Sequence, residues 1–254
     1  MTLAILVPYR DRARYLEVFL REVPRYLESR SHDYVIYVAE QDAGDVWNAA
    51  LARNMGALAA LADGGFNQLV FQDVDMIPVI GVDYNRQEFN VAWLTSVGGY
   101  KVLPADFIAA NGWNPDYPGW GYGDGELCKR LDFLNLPWRF AYNMPEHQTA
   151  VMYDLELPPD APPEGITKTV FQHVGRFLPY PGPLDRHSKD DKYYESELTE
   201  ISRAMFREFL AMEPAAMTAY IAANGLNRCR LSSARRTVED GVHWVRFSAA
   251  EALQ

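Results

Sequence analysis

The sequence predicts a single α/β domain that opens with a βαβαβ unit and continues into a mixed central sheet. Two observations carry that expectation. Three short apolar runs, at residues 3–7, 34–39 and 69–78, each close at a proline or a polar turn, and the two stretches between them repeat their apolar residues at helical spacing. Short Val-, Ile- and Phe-rich runs are the pattern of strands buried on both faces of a parallel sheet. A length of 254 residues suffices for one sizeable core, so one domain spanning 1–254 is expected, with residues 1–80 as its first half and 81–254 as its second.

The first run stops at Pro8 and passes into the charged turn Tyr9-Arg10-Asp11-Arg12. Tyr15, Leu16, Phe19, Leu20, Val23, Tyr26 and Leu27 then mark one face of a helix. The second run ends in the polar turn 40–45, and the segment 46–61 places Trp47, Leu51, Met55 and Leu58 at helical intervals, with Asp45 expected as its N-cap. Residues 69–78 form the third strand. Beyond it, 91–103 read as one strand interrupted by Gly98-Gly99, and 105–110 as a short helix. The glycine-rich loop 114–126 precedes a helix at 127–134, and 138–142 form a further strand. After an irregular, proline-rich stretch at 151–191, an amphipathic helix is expected at 196–212 and a further helix at 215–223. Two strands, 229–233 and 242–247, flank the hairpin signal Glu239-Asp240-Gly241.

Composition narrows the function. A formal net charge of -10 works against duplex nucleic acid and anionic membranes, both of which require a basic face. Two cysteines, Cys128 and Cys229, make no disulfide framework and are read as reduced. The apolar start at residues 1–9 is too short to span a bilayer and lacks the features of a signal peptide, so no transmembrane segment and a cytoplasmic location are expected.

Chemistry is expected at the strand exits, because ligands of open α/β sheets bind outside the carboxyl ends of the strands. Asp73 and Asp75 leave the third strand two residues apart, and on an extended chain both carboxylates would reach one divalent cation. The same pattern also occurs as a plain turn. Arg10 and Arg12 leave the first strand, where guanidinium forks hold phosphate or carboxylate oxygens or are simply solvated. No glycine fingerprint follows the first strand, which argues against a dinucleotide enzyme. The loop 114–126 suits either a hinged lid with an aromatic platform or a rigid surface loop. Met144 and His147 stand three apart after the strand at 138–142, but a thioether is a poor ligand for a hard cation.

In order, these pieces resemble the β-1,4-galactosyltransferase family of inverting, metal-dependent glycosyltransferases with the GT-A fold. The resemblance rests on Val7-Pro-Tyr-Arg-Asp-Arg12, Val35-Ile-Tyr-Val-Ala-Glu-Gln41, Trp47-Asn48 with Arg53-Asn54-Met-Gly56, Asp73-Val-Asp75, Gly98-Gly99, Asn111-Gly112, Gly119-Trp120-Gly121 with Asp124, Met144 with His147, and Gly225-Leu226-Asn227. It implies that residues 1–80 bind a nucleotide sugar and 81–254 supply the acceptor side and a lid. Asp75, Met144 and His147 would ligate manganese, or magnesium in its place. Pro8, Arg10, Arg12, Asn48, Arg53, Asp73, Val74, Gly99 and Trp120 would line the site of a UDP-sugar. Tyr122, Gly123 and Glu126 would meet a saccharide acceptor, and Asp124 matches the family's catalytic base. The implied reaction moves a galactose- or N-acetylhexosamine-type sugar to an acceptor hydroxyl with inversion.

Departures from the family pattern bear on specificity. Ala49 replaces an arginine, for which Arg53 one turn on is a candidate substitute; Gly123 and Gly125 replace acids, Pro118 replaces a tryptophan, and Ser96 a larger side chain. Two other readings compete: a phosphohydrolase with Asp73 as nucleophile and Asp75 as acid, and a sugar-nucleotide binding protein that has lost catalysis.

Overall fold

The structure is a computed structural model that describes residues 2–80, 84, 91–93, 99–117, 122–136, 138–140, 151–154 and 197–253. In chain order the elements are β1 (Thr2–Tyr9), α1 (Ala13–Ser29), β2 (Asp33–Gln41), α2 (Ala49–Asp63), β3 (Gln68–Gln72), β4 (Met76–Ile80), β5 (Val91–Trp93), β6 (Gly99–Val102), α3 (Pro104–Ala109), α4 (Tyr122–Phe133), β7 (Trp138–Phe140), β8 (Val151–Asp154), α5 (Glu197–Leu210), α6 (Pro214–Ala223), β9 (Arg235–Glu239), β10 (Val242–Phe247) and α7 (Ala249–Ala252).

The expected βαβαβ unit is present, with β2 and β3 both parallel to β1. Strand β1 is buried on both faces, and its side chains divide by the two-residue period of a strand. Leu3, Ile5 and Val7 pack with Leu16, Phe19, Val23 and Leu27 of α1. Ala4 and Leu6 pack with Leu51, Ala52, Met55 and Ala59 of α2 on the opposite face. Among the described residues the main sheet has the order β7-β5-β6-β3-β1-β2-β10-β9, with β6 antiparallel to β3 and β10 parallel to β2. The mixed α/β architecture is therefore as expected.

Several element boundaries differ from the sequence reading. Residues 69–78 are two strands: the chain leaves β3 after Gln72 and turns at 73–75, where the Met76 amide donates to the Asp73 carbonyl at 3.0 Å. It resumes as β4, which joins β8 in a separate two-stranded sheet. Buried Gln72 stitches this turn, since its Nε2 donates to the Met76 carbonyl at 2.6 Å and its Oε1 accepts from the Tyr84 hydroxyl at 2.7 Å. Residues 91–103 hold two antiparallel strands, β5 and β6. Helix α4 begins at Tyr122, so Asp124 and Glu126 lie inside it instead of ahead of it. The N-cap of α2 is Asn48, whose Oδ1 accepts from the Leu51 amide at 2.8 Å. Asp45 caps α7 instead, accepting from the Ala249 amide at 2.7 Å. The terminal hairpin forms about its predicted turn, but its first strand is β9, while residues 231–233 are a helical turn. No helix among the described residues is long and apolar enough to cross a membrane.

Candidate active site

Because β1 and β3 run parallel and adjacent, their carboxyl ends deliver Arg10 and Arg12 beside Asp73 and Asp75. Asp11 sits between the arginines at φ 52, a left-handed conformation that short polar side chains tolerate. Arg10 lies over the Trp47 ring at 5.3 Å and donates from Nη1 to the Asp45 carbonyl at 2.7 Å. Arg12 lies over the Tyr15 ring at 5.7 Å and donates from Nη1 to Asp75 Oδ2 at 2.8 Å. The Asp75 side chain is only 12% exposed, so a cationic partner is what keeps its charge tolerable there.

Helix α2 supplies the next layer. Arg53 donates from Nη2 to Asp73 Oδ1 at 3.1 Å and from Nη1 to Asp124 Oδ1 at 3.0 Å, and it lies over the Trp113 ring at 5.3 Å. One guanidinium thus spans the turn after β3 and the first turn of α4. Asn54, fully buried, holds the backbone of Trp113 on both sides: its Nδ2 donates to the Trp113 carbonyl at 2.8 Å, and its Oδ1 accepts from the Trp113 amide at 3.1 Å. Gly112 is required beside them. Its φ is +61, and a Cβ there would stand 2.7 Å from Asn54 Oδ1. The Trp113 indole is wedged among Phe71, Tyr100 and Phe107 at centroid distances of 4.5, 5.4 and 5.6 Å. From this seat its Nε1 donates to Asp124 Oδ1 at 3.0 Å.

Helix α4 carries two acids of opposite character. Asp124 is 38% exposed, and both of its hydrogen bonds among the described residues fall on Oδ1. Glu126 is fully buried and takes both Nε and Nη2 of Arg130 on one oxygen, at 2.7 and 2.6 Å. Its Oε2 has no partner among the described residues. Burial pushes the Glu126 carboxyl up to about 7, with the Arg130 guanidinium opposing the shift. The acceptor contact expected of Glu126 is therefore corrected: its carboxylate is an internal group spent on Arg130. The Tyr122 hydroxyl accepts from Arg203 Nε of α5 at 2.6 Å, and Phe206 of α5 packs on the Tyr122 ring at 5.8 Å. A Cβ on Gly125 would meet Phe206 at 3.3 Å, which leaves little room for an acid, whereas one on Gly123 would meet only Tyr117, at 3.9 Å.

The structure thus pairs Arg12 with Asp75 and joins Arg53 to Asp73 and Asp124, while Arg10 reaches to Asp45 and Trp47 instead. Of the other expected donor contacts, Pro8 is buried in β1 opposite Ala39, Val74 is 3% exposed, and Gly99 pairs with Gln72. Asn48 spends its side-chain amide inside the chain as well, on the Leu51 amide and, at 2.6 Å, on the Pro115 carbonyl. Trp120, Met144 and His147 lie outside the described residues, as do Ser96, Gly98, Pro118, Gly119 and Gly121. Among the described residues no group of three His, Cys, Asp or Glu side chains is gathered to hold a metal ion. Asp75 nevertheless offers one hard, nearly buried oxygen-donor side chain of the kind a divalent cation takes, its Oδ2 here held by Arg12. Sequence reasoning missed Trp113 and Asn54 as site residues. Their one signal was an indole directly after Asn111-Gly112, a place where a tight turn brings backbone close to a neighbour. Among the described residues neither Cys128 nor Cys229 is in a disulfide, and burial raises the Cys229 thiol to about 11, so it stays protonated.

Set against known proteins, this arrangement defines a class by its fold. The catalytic domain of Drosophila β-1,4-galactosyltransferase 7, solved with xylobiose, superposes with a TM-score of 0.66, covering 96% of this chain and 92% of that one at 18% identity. A mutant of the same enzyme, in complex with manganese, UDP-Gal and xylobiose, gives 0.63 at 17% identity. The chain has the GT-A glycosyltransferase fold. Residues 1–100 match the N-terminal region of glycosyl transferase group 7. The chain is 32% identical over 148 residues to β-1,4-galactosyltransferase 1 of Bos taurus, covering 52% of this chain and 37% of that protein. It is 30% identical over 148 residues to β-1,4-galactosyltransferase 4 of Homo sapiens, covering 52% and 43%. Over that segment the chain is similar to the β-1,4-galactosyltransferases. The match covers well under half the length of these relatives.

Proposed function

We propose that the chain is an inverting, manganese-dependent glycosyltransferase that moves a sugar from a UDP-sugar to a hydroxyl of a saccharide acceptor. One observation carries the reading: a single guanidinium, Arg53, ties Asp73 of the Asp-Val-Asp turn to Asp124, so the donor-side acids and a half-exposed carboxylate share one site. The related Drosophila enzyme, whose complex holds manganese, UDP-Gal and xylobiose, makes a galactose-type donor the first to try.

In this reading residues 1–80 hold the donor and 81–254 the acceptor. Arg10 and Arg12 balance phosphate charge at the end of β1, and Arg53 balances Asp73 and Asp124 between the two halves. Asp75, with Met144 and His147, would hold the manganese, which when bound neutralises the departing diphosphate. Asp124 takes the proton of the acceptor hydroxyl as its oxygen bonds to the sugar's C1; the C1–O bond to the diphosphate breaks, and its electron pair leaves with UDP. Attack opposite the leaving group inverts the anomeric centre. Trp120 belongs to a lid over the bound donor. The reduced cysteines suit a cytoplasmic location.

A thermal-shift panel of UDP-sugars with and without manganese, followed by transfer to saccharide acceptors including xylobiose, tests this. Ligands that bind only the native state raise the midpoint by mass action, so UDP compounds are expected to stabilise the chain in manganese and not without it. Product of the opposite anomeric configuration to the donor is expected. Equal stabilisation with and without metal, or turnover unchanged in Asp75→Ala, would overturn the reading.

A further inference from the structure

The proposed function needs Asp124 only as a carboxylate near the acceptor; the structure says more about how it is held. Its Oδ1 takes two hydrogen bonds from separate elements, Arg53 Nη1 of α2 and Trp113 Nε1, each at 3.0 Å. Oδ2 takes none among the described residues. Neither donor is free to drift. Trp113 is 1% exposed, its ring closed in by Phe71, Tyr100 and Phe107 and its backbone clamped by Asn54. Arg53 is 13% exposed, lies over that same indole, and is pinned at its other nitrogen by Asp73. A half-exposed aspartate at a helix start would otherwise rotate between rotamers; two fixed donors on one oxygen select one of them.

Resting on that proposed function, we infer that Arg53 and Trp113 are positioning residues that hold Asp124 by Oδ1, so that Oδ2 is the oxygen that takes the acceptor's proton. The tie from Arg53 to Asp73 makes the same guanidinium sense the donor side, so the base is set by the scaffold that frames the donor. Arg53 thus works mainly on the carboxylates and less as a direct contact to the nucleotide.

Trp113→Phe keeps a six-membered aromatic ring but deletes the N–H together with the five-membered half of the indole, so its midpoint temperature is measured beside its rate. Losing one hydrogen bond to a charged group is worth about tenfold in rate, so kcat is expected to fall about tenfold with UDP-galactose in manganese, while donor KM stays within about twofold. Arg53→Leu removes the second donor and is expected to cost more, with Arg53→Lys in between. Added to Asp124→Ala, Trp113→Phe is expected to cost nothing further, a non-additivity that a general loss of structure would not produce. A readout without turnover accompanies these rates. The indole N–H resonance identified by its loss in Trp113→Phe, one of six tryptophans, is expected to move upfield in Asp124→Ala. Wild-type kcat in Trp113→Phe, an equal penalty in the Asp124→Ala background, or an unmoved indole resonance each overturns the inference while the transferase reading stands. A wild type inert with every UDP-sugar removes the transferase reading, and the positioning role with it.

Discussion

Two acids on the same helix, two residues apart, have been put to opposite uses. Asp124 is 38% exposed and meets its two donors, Arg53 and Trp113, through one oxygen. Glu126 is fully buried, takes both N–H groups of Arg130 on one oxygen, and leaves the other without a partner among the described residues. The difference lies in what packs over each. Near Asp124 the chain places polar ends of other elements; around Glu126 it places the Arg130 stem, with Tyr220 lying at 5.8 Å from the guanidinium. A carboxylate within reach of solvent can exchange a proton with a ligand. A carboxylate sealed against a guanidinium serves the fold.

The largest test of this contrast is Asp124→Asn, an isosteric change that removes the proposed base. It is expected to lower sugar transfer by about 10²- to 10⁴-fold with little change in midpoint temperature. Arg130→Met should behave the other way round. It strands a buried carboxylate and is expected to cost about 3–5 kcal/mol in chemical denaturation. The loss should be greater at pH 8 than at pH 5, where Glu126 can take up a proton.

Glu126→Gln sharpens the contrast through pH. Burial lifts the folded Glu126 carboxyl from the ordinary 4.5 to about 7, so the folded chain binds that proton more tightly than the unfolded chain does. The contribution is fully present below about pH 4.5 and is lost as pH rises through about 7, a swing on the order of 3 kcal/mol. Denaturation curves for wild type and Glu126→Gln should therefore diverge across that window. Parallel curves would mean that Arg130 keeps the carboxylate charged throughout. The smallest effect concerns the shared scaffold: Asn48→Ala uncaps α2, which carries Arg53, and is expected to cost about 1 kcal/mol of stability.

The glycines that replace acids on either side of Asp124 fit the same contrast. Position 125 lies under Phe206, so an acid there would have to displace a ring, while position 123 is open apart from Tyr117. Tyr122, expected on the acceptor side, spends its hydroxyl on Arg203 of α5.

Much of the architecture could be read from the residues. The period-two burial of β1, the helical stripe of α1 and the Asp240-Gly241 turn of the last hairpin are local patterns, set by neighbours a few positions away. Where the reading failed, the deciding partner was distant. The apolar run after Gln68 looked continuous because Met76 and Ile77 are as apolar as Leu69 and Val70. Only the pairing of β4 with β8, some seventy positions on, makes them a separate strand. Asp45 was a sound cap by composition, yet it caps α7 because β10 lies against β2 and returns the end of the chain to that turn.

By itself, the sequence determined that strands and helices alternate and that acids and arginines gather at strand exits, because these follow from residue type and spacing along one stretch of chain; Asp124 became a candidate base only through the resemblance of its loop to a family motif. Only the tertiary structure decided that Asp124 faces two donors while Glu126 is sealed onto Arg130, and that Arg53 joins Asp73 to Asp124. Burial and hydrogen-bond partners come from side chains brought in from elsewhere in the chain, and residue type carries no record of them.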